Sequence, residues 1–202
     1  GEAFLVRRDG RFHPCPSEGG HASFAPRNQE QADLLAFMCR RHDHVSVEMV
    51  CSGLAVPELF AFLAERLDVP ACLDADLEQA DDRTPVIVHA ALQAIQGGRP
   101  CEVAVRTLRL LTDILADEAA NLALKTLALG GVYIGGGFAA RIEPFIEPTR
   151  FMAIFARGTY RAMLGRIPVQ VITNPRTALI GAAAYAIQAL AHEPAPATPG
   201  QA

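Results

Sequence analysis

The chain has 202 residues, half of them apolar, and a formal charge of −4 at neutral pH; it is long enough to bury a sizeable core, and its acidic balance argues against a nucleic-acid surface. No apolar run approaches the roughly 20 residues of a membrane helix, and no basic-then-apolar leader stands at the start. The cysteines (Cys15, Cys39, Cys51, Cys72 and Cys101) are odd in number and form no CxxC pair, which points to reduced thiols in a cytoplasm rather than to disulfides or a zinc site.

Taken in order, Ala3–Val6 reads as a strand, Asp9-Gly10 as a hairpin turn and Arg11–Cys15 as the return strand. Next comes SEGGHASFAP, residues 17–26, where Glu18 and His21 stand three apart around two glycines. Glycine costs entropy to order, and its use is to let backbone approach something closely. Pro26-Arg27-Asn28 then introduces a helix over about 29–41, with Ala32, Leu35, Ala36 and Cys39 on its inner face. A short helix is predicted over 46–51 with Ser46 as its cap, and Pro57 opens another to about Leu67. Residues 74–80 are predicted helical, and Thr84-Pro85 starts a helix through Ile95 that Gly97-Gly98 ends.

The longest helix is predicted from near Pro100 to about Ala128, with Leu108, Leu111, Leu115 and Leu122 at helical spacing and Gly130-Gly131 as its stop. A buried-type strand, Val132–Ile134, precedes the cluster Gly135-Gly136-Gly137. Two short helices over about 144–164 and a strand over 169–173 follow; Asn174-Pro175 breaks that strand, and a helix of small residues runs from Thr177 to Leu190. The Pro/Ala-rich tail should be disordered, leaving one domain over 1–190 and a tail over 191–202. Helices alternating with apolar strands argue for an α/β fold.

Three constellations carry candidate chemistry. A strand, glycines and a helix start (132–138) can present backbone N–H groups to a phosphate or nucleoside; the plain alternative is a tight strand-to-helix turn. It is neither a Walker loop nor GxGxxG. Asn174 to Ala182 places small residues after a second strand, and ligands of open α/β sheets collect beyond strand carboxyl ends; the alternative is close helix packing. Glu18, His21 and Glu48 form a polar set suited to a ring of sugar hydroxyls, since a carboxylate accepts hydrogen bonds and a neutral imidazole both donates and accepts; the alternative is a surface loop with an exposed helix carboxylate.

Together, SEGGHASFAP, His44–Gly53 (HVSVEMVCSG), Gly130–Gly137 (GGVYIGGG) and the Pro168-Val169 strand with Asn174-Pro175, Leu179 and Gly181 resemble bacterial ATP-dependent glucokinase, from Gly1 to about Leu190. The resemblance implies the ribonuclease H-like actin/hexokinase ATPase fold, of which this would be the larger C-terminal domain, helix-rich with a small mixed sheet. It implies that Glu18, His21 and Glu48 hold glucose and that Gly135, Gly136, Gly137, Asn174 and Thr177 lie on the adenosine side of an ATP site, with Mg2+ accompanying the ATP. A homodimer in the cytoplasm, with neither nucleic acid nor membrane as partner, is implied as well. The related repressor–kinase–open-reading-frame sugar kinases carry a cysteine-rich zinc motif after their Glu-x-Gly-His; here Ala22–Pro26 follows His21 without cysteine.

Phosphoryl transfer also needs phosphate positioning and a base for the attacking hydroxyl. In the resembled family the base is an Asp after an Asn in the N-terminal domain, together with the first phosphate loop, and this sequence shows neither; Asp9, Asp33 and Asp43 have no such context. The chain begins with Gly1, which reads as a removed start or a part of a longer polypeptide. The isolated chain is expected to be inactive, because a base must lie within hydrogen-bond reach of its proton. Two other readings are a non-catalytic glucose-binding sensor or regulatory module and a truncated remnant that folds poorly.

Overall fold

A computed structural model of the chain describes residues 1–190, the side chain of Cys72 aside; the tail expected to be disordered lies outside the described residues. Strands β1 (Glu2–Arg8) and β2 (Arg11–Ser17) pair antiparallel, Glu2 opposite Ser17 and Arg8 opposite Arg11. Asp9 (φ 53°) and Gly10 (φ 77°) both take left-handed backbone, the turn geometry that matches the twist of a hairpin. Gly19–His21 then forms one turn of 3-10 helix.

Helix α1 (Gln29–Met38) is capped by Asn28, whose side chain accepts from the Gln31 N–H at 3.0 Å. Its inner face is Gln31, Leu34, Phe37 and Met38 rather than the predicted set, and Ala36 and Cys39 are exposed. Burying Phe37 and Met38 removes more apolar area from water than burying alanines does, so the helix turns that way. Residues 46–51 are not helical. Ser46 is no cap but is buried in an isolated antiparallel bridge with Ser23. The N–H groups of Val47 and Glu48 donate to Ala22 and Gly20 carbonyls, so this backbone is committed to the glycine-rich segment.

Helices α2 (Val56–Ala64), α3 (Ala71–Gln79) and α4 (Arg83–Ile95) follow. Asp82 caps α4 by accepting from the Thr84 N–H at 2.9 Å, which frees the Thr84 hydroxyl to donate to the Gly53 carbonyl at 3.1 Å. Helix α5 (Glu102–Thr126) has 25 residues, a rod of about 38 Å at 1.5 Å per residue. It stops at Leu127 (φ 48°), ahead of the glycines expected to end it. Then come β3 (Val132–Ile134), α6 (Gly137–Ile142), a 3-10 turn at Glu143–Phe145, α7 (Pro148–Phe155), α8 (Arg161–Leu164), β4 (Val169–Val171) and α9 (Thr177–Leu190). The helical stretch after the glycines thus begins at Gly137, not near Pro144, and β4 ends before Ile172.

Strands β3 and β4 pair in parallel, Val132 opposite Val169. Among the described residues the small sheet is therefore two separate two-stranded pieces, one antiparallel and one parallel. Two apolar cores share α5. One packs α1, α2 and α4 on its first half, with Phe37 edge-on to Phe62 at 5.6 Å; the other packs β3 and α7 on Ala116, Ala119, Ala120 and Ala123. Close packing of α9 does not occur: none of its residues is buried, and Leu179 and Ile187 are 71% and 68% exposed.

Candidate functional site

The glycine-rich segment and residues 45–48 run side by side. Val45 O accepts from Phe24 N at 2.9 Å, Ala22 O from Val47 N at 3.0 Å, and Gly20 O from Glu48 N at 2.8 Å. This short ladder brings Glu48 beside the 3-10 turn. His21 Nε2 lies 3.5 Å from Glu48 Oε2 and 3.8 Å from Glu18 Oε2, so two carboxylates flank one imidazole. The glycines have different reasons. A side-chain carbon on Gly19 would have to displace the Glu2 carboxylate, which lies in that space beside the Ser17 hydroxyl. Gly20 is buried beneath the carboxylate of Glu48.

Beside Glu48, but not bordered by Glu18 or His21, lies a cavity of about 180 Å3. Gly20 and Glu48 line it together with Ile134 and Gly135 from the end of β3 and with Glu2, Glu118 and Cys51. Burial, reinforced by the neighbouring Glu118, holds the Glu2 carboxyl above its ordinary range. Burial also pushes the Cys51 thiol up to about 12, so it stays protonated.

The exit of the glycine-rich segment is tied to α5. Arg27 Nε lies 3.7 Å from Asp117 Oδ1, and Arg157 Nη1 reaches the same oxygen at 2.9 Å. Arg157 also donates to Asn121 Oδ1 at 2.7 Å. Burial raises the pKa of Asp117 against the opposing pull of Arg157 and Arg27. Four residues earlier, Asp113 accepts two hydrogen bonds from Arg150. Sequence reading missed Asp113 and Asp117; the available signal was two carboxylates at helical spacing inside the apolar face of the longest helix.

At the other end, Ile134 O accepts from Ile172 N at 2.8 Å, which sets the carboxyl ends of β3 and β4 side by side. Gly135–Gly137 follows one strand, and Asn174 and Thr177 follow the other. Gly136 (φ 103°, ψ 158°) holds backbone essentially confined to glycine. A side-chain carbon at Gly135 would press on Ile172 Cδ1 at 3.3 Å, whereas Gly136 and Gly137 border open space. Asn174 Oδ1 accepts from Arg176 N at 2.9 Å, and the Thr177 hydroxyl donates to Asn174 O at 2.8 Å. Gly53 and Phe138 join the two ends: a side-chain carbon on Gly53 would stand 3.3 Å from the Phe138 ring. Among the described residues no group of three His, Cys, Asp or Glu side chains is placed to hold a metal ion.

Glu48 of the trio and Gly135 of the glycine turn thus line one cavity, while His21 and Glu18 lie outside it. Comparison with known proteins places the chain in a family. The glucokinase family profile matches residues 1–189, and the chain belongs to that family. It is 38% identical to the glucokinase of Trichormus variabilis over 195 residues, covering 91% of this chain and 56% of that protein. It is 33% identical to that of Photorhabdus laumondii, covering 94% and 56%. The solved glucokinase from an Antarctic psychrotroph superimposes with a TM-score of 0.70 at 32% identity, over 91% of this chain and 53% of that one. The glucokinase of Balamuthia mandrillaris, solved with glucose, shares the fold with a TM-score of 0.66 at 21% identity, over 86% of this chain and 47% of that one. The fold is thus the helix-rich, hexokinase-like α/β fold of glucokinases, and the chain spans about half the length of the curated relatives it matches.

Proposed function

We propose that this chain supplies the sugar-recognition side and the adenosine side of an ATP-dependent glucokinase, which transfers the γ-phosphoryl group of ATP to glucose to give glucose 6-phosphate at the entry to glycolysis. The observation that carries this reading is the convergence of Glu18 and Glu48 on His21, at 3.8 and 3.5 Å, with Glu48 also lining a cavity that reaches Gly135. In this reading Glu18 and Glu48 accept from adjacent sugar hydroxyls, and His21, oriented between them, gives or takes one more hydrogen bond. A site built this way rejects analogues lacking a hydroxyl, because its own polar groups would be left unpaired.

The open backbone at Gly136 and Gly137 fits close approach of a nucleotide, and Asn174 and Thr177 flank it. Mg2+ comes with ATP, coordinated mainly by phosphate oxygens as is usual for that ion. The general base and the first phosphate loop lie outside this chain and form the other wall of the cleft. Two uncovered apolar surfaces, α9 and the β1–β2 hairpin with Leu5 and Phe12, are suited to receive that wall. In the complete protein the enzyme works in the cytoplasm as a homodimer.

The test pairs two assays. The protein at its full encoded length should release ADP from ATP only when glucose is present, while the 202-residue chain alone should bind glucose with negligible turnover. Robust turnover by the chain alone refutes the placement of the base elsewhere. Glucose binding without turnover at full length supports a sugar-binding regulator instead.

A further inference from the structure

A second cavity, of about 420 Å3, counts His21 and Glu48 in its wall but neither Gly135 nor any other residue of the glycine turn. Its volume falls in the range of small-ligand pockets, ~300–1,000 Å3. The rest of its lining is chiefly soft and apolar: Met38, Met49, Leu54 and Ala55, with His42 and Glu58 among the polar groups. A hexose gripped by Glu18, His21 and Glu48 stands at the mouth of this space. We infer that the cavity is a subsite for an uncharged, partly apolar substituent on the hexose, of the acylamino or short alkyl-ether kind, so that the protein binds such substituted hexoses at the same site as glucose. This rests on the sugar reading proposed above.

The chemistry of the wall selects the substituent. An anionic group would meet the Glu48 carboxylate, which lines the cavity. The Glu58 carboxylate is already bound by Arg41 at 2.8 Å, so it offers little to a cationic group. Methionine side chains adapt to the shape of what they cover. Leu54 is 85% exposed, an apolar side chain at the cavity with little of its own surface covered; burying an alkyl end against it is favourable at roughly 25 cal/mol per Å2. Polar side chains stand at several points of the same wall, His42, His44, Ser46 and Ser52 among them. An acylamino group, with one N–H, one C=O and an alkyl end, matches such a mixed lining better than a further hydroxyl does.

The experiment is a binding titration on the protein at its full encoded length. The probes are glucose, N-acetylglucosamine, N-butanoylglucosamine, 3-O-butylglucose and n-butyl β-glucoside, each competed against glucose. At least one substituted hexose should bind within about tenfold of glucose or tighter, and displace it. Leu54→Trp, which fills the cavity from an exposed position, should weaken that probe by about tenfold or more while changing glucose by less than about twofold. Met49→Phe narrows the same wall from another side and should produce the same split. All substituted hexoses binding far more than about tenfold weaker than glucose, or equal losses for both sugars in both variants, overturn the inference while leaving the sugar reading intact. Failure of glucose itself to bind removes the sugar reading and this inference with it.

Discussion

His21 Nε2 and Glu48 Oε2 lie 3.5 Å apart, and backbone pairing rather than sequence proximity puts them there. The bond from Glu48 N to Gly20 O, 2.8 Å long, fixes the approach. Glu48→Gln keeps the shape and turns one acceptor into a donor facing a hydroxyl. Glucose affinity should fall by about ten- to a hundredfold, equivalent to the ~1–3 kcal/mol cost of an unsatisfied buried partner. Glu18→Gln and His21→Ala should act in the same direction. Titration with glucose at fixed ATP checks this, and unchanged affinity in all three variants would remove the sugar assignment.

Arg27 and Asp117 couple the exit of the glycine-rich segment to the longest helix. Arg27→Gln and Asp117→Asn should each raise the glucose KM more than they lower kcat, because neither touches the reacting atoms. A double-mutant cycle on glucose affinity should show a coupling of about 0.5–2 kcal/mol. Strict additivity would mean that the contact does not position the segment.

Gly136 holds φ 103°, ψ 158°, which side-chain-bearing residues avoid. Gly136→Ala should destabilise the chain by about 1–3 kcal/mol and lower Tm by roughly 2–4 °C per kcal/mol. It should weaken nucleotide binding while leaving glucose affinity nearly unchanged. Equal loss of both ligands would show that the turn serves the fold rather than the nucleotide.

Two carboxylates should show opposite pH signatures. Glu147 caps α7 by accepting from the Thr149 and Arg150 N–H groups, and those bonds hold its pKa below the ordinary value of 4.5. Its contribution is present above 4.5 and is lost as pH falls through the lowered folded value. The Tm gap between the native protein and Glu147→Gln should therefore close in acid. For Asp117 burial raises the pKa, so its protonated form favours the folded state; that contribution is fully present below the unfolded value of 3.8 and is lost as pH rises through the higher folded value. Asp117→Asn should consequently gain on the native protein between acid and neutral pH. Thermal unfolding across a pH series tests both signs.

Local signals made part of this structure legible in the sequence. Asp9-Gly10 demands a turn of one hand, Asn28 caps a helix, and the leucine spacing marks α5; each needs only its neighbours. The segment 46–51 was misread because its backbone donors are claimed from residues 20–22, a non-local pairing that helical spacing cannot reveal. The inner face of α1 was misjudged by about one position, since the side chains that fill the core are chosen by the neighbours α2 and α5. Glu18, His21 and Glu48 were identified by motif, but only the fold shows that they meet. Asp117 stayed hidden because its partners, Arg27 and Arg157, come from opposite sides of the chain.

Helix α5 carries one apolar cluster on its first half and another on its second. The histidine–carboxylate trio is braced by the first through Phe24, Val45 and Val50, whereas the strand end before Gly135 belongs to the second through Val132 and Ile134. The two clusters should therefore behave as two cooperative units threaded on one rod, each opening locally while the other stays closed. Amide hydrogen exchange should resolve them as two protection levels along α5, with a step between Ile114 and Ala116. A ligand held only by the trio should slow exchange in the first unit and leave the second nearly as free as before, so occupancy at the two ends would be recorded separately on the backbone of a single helix.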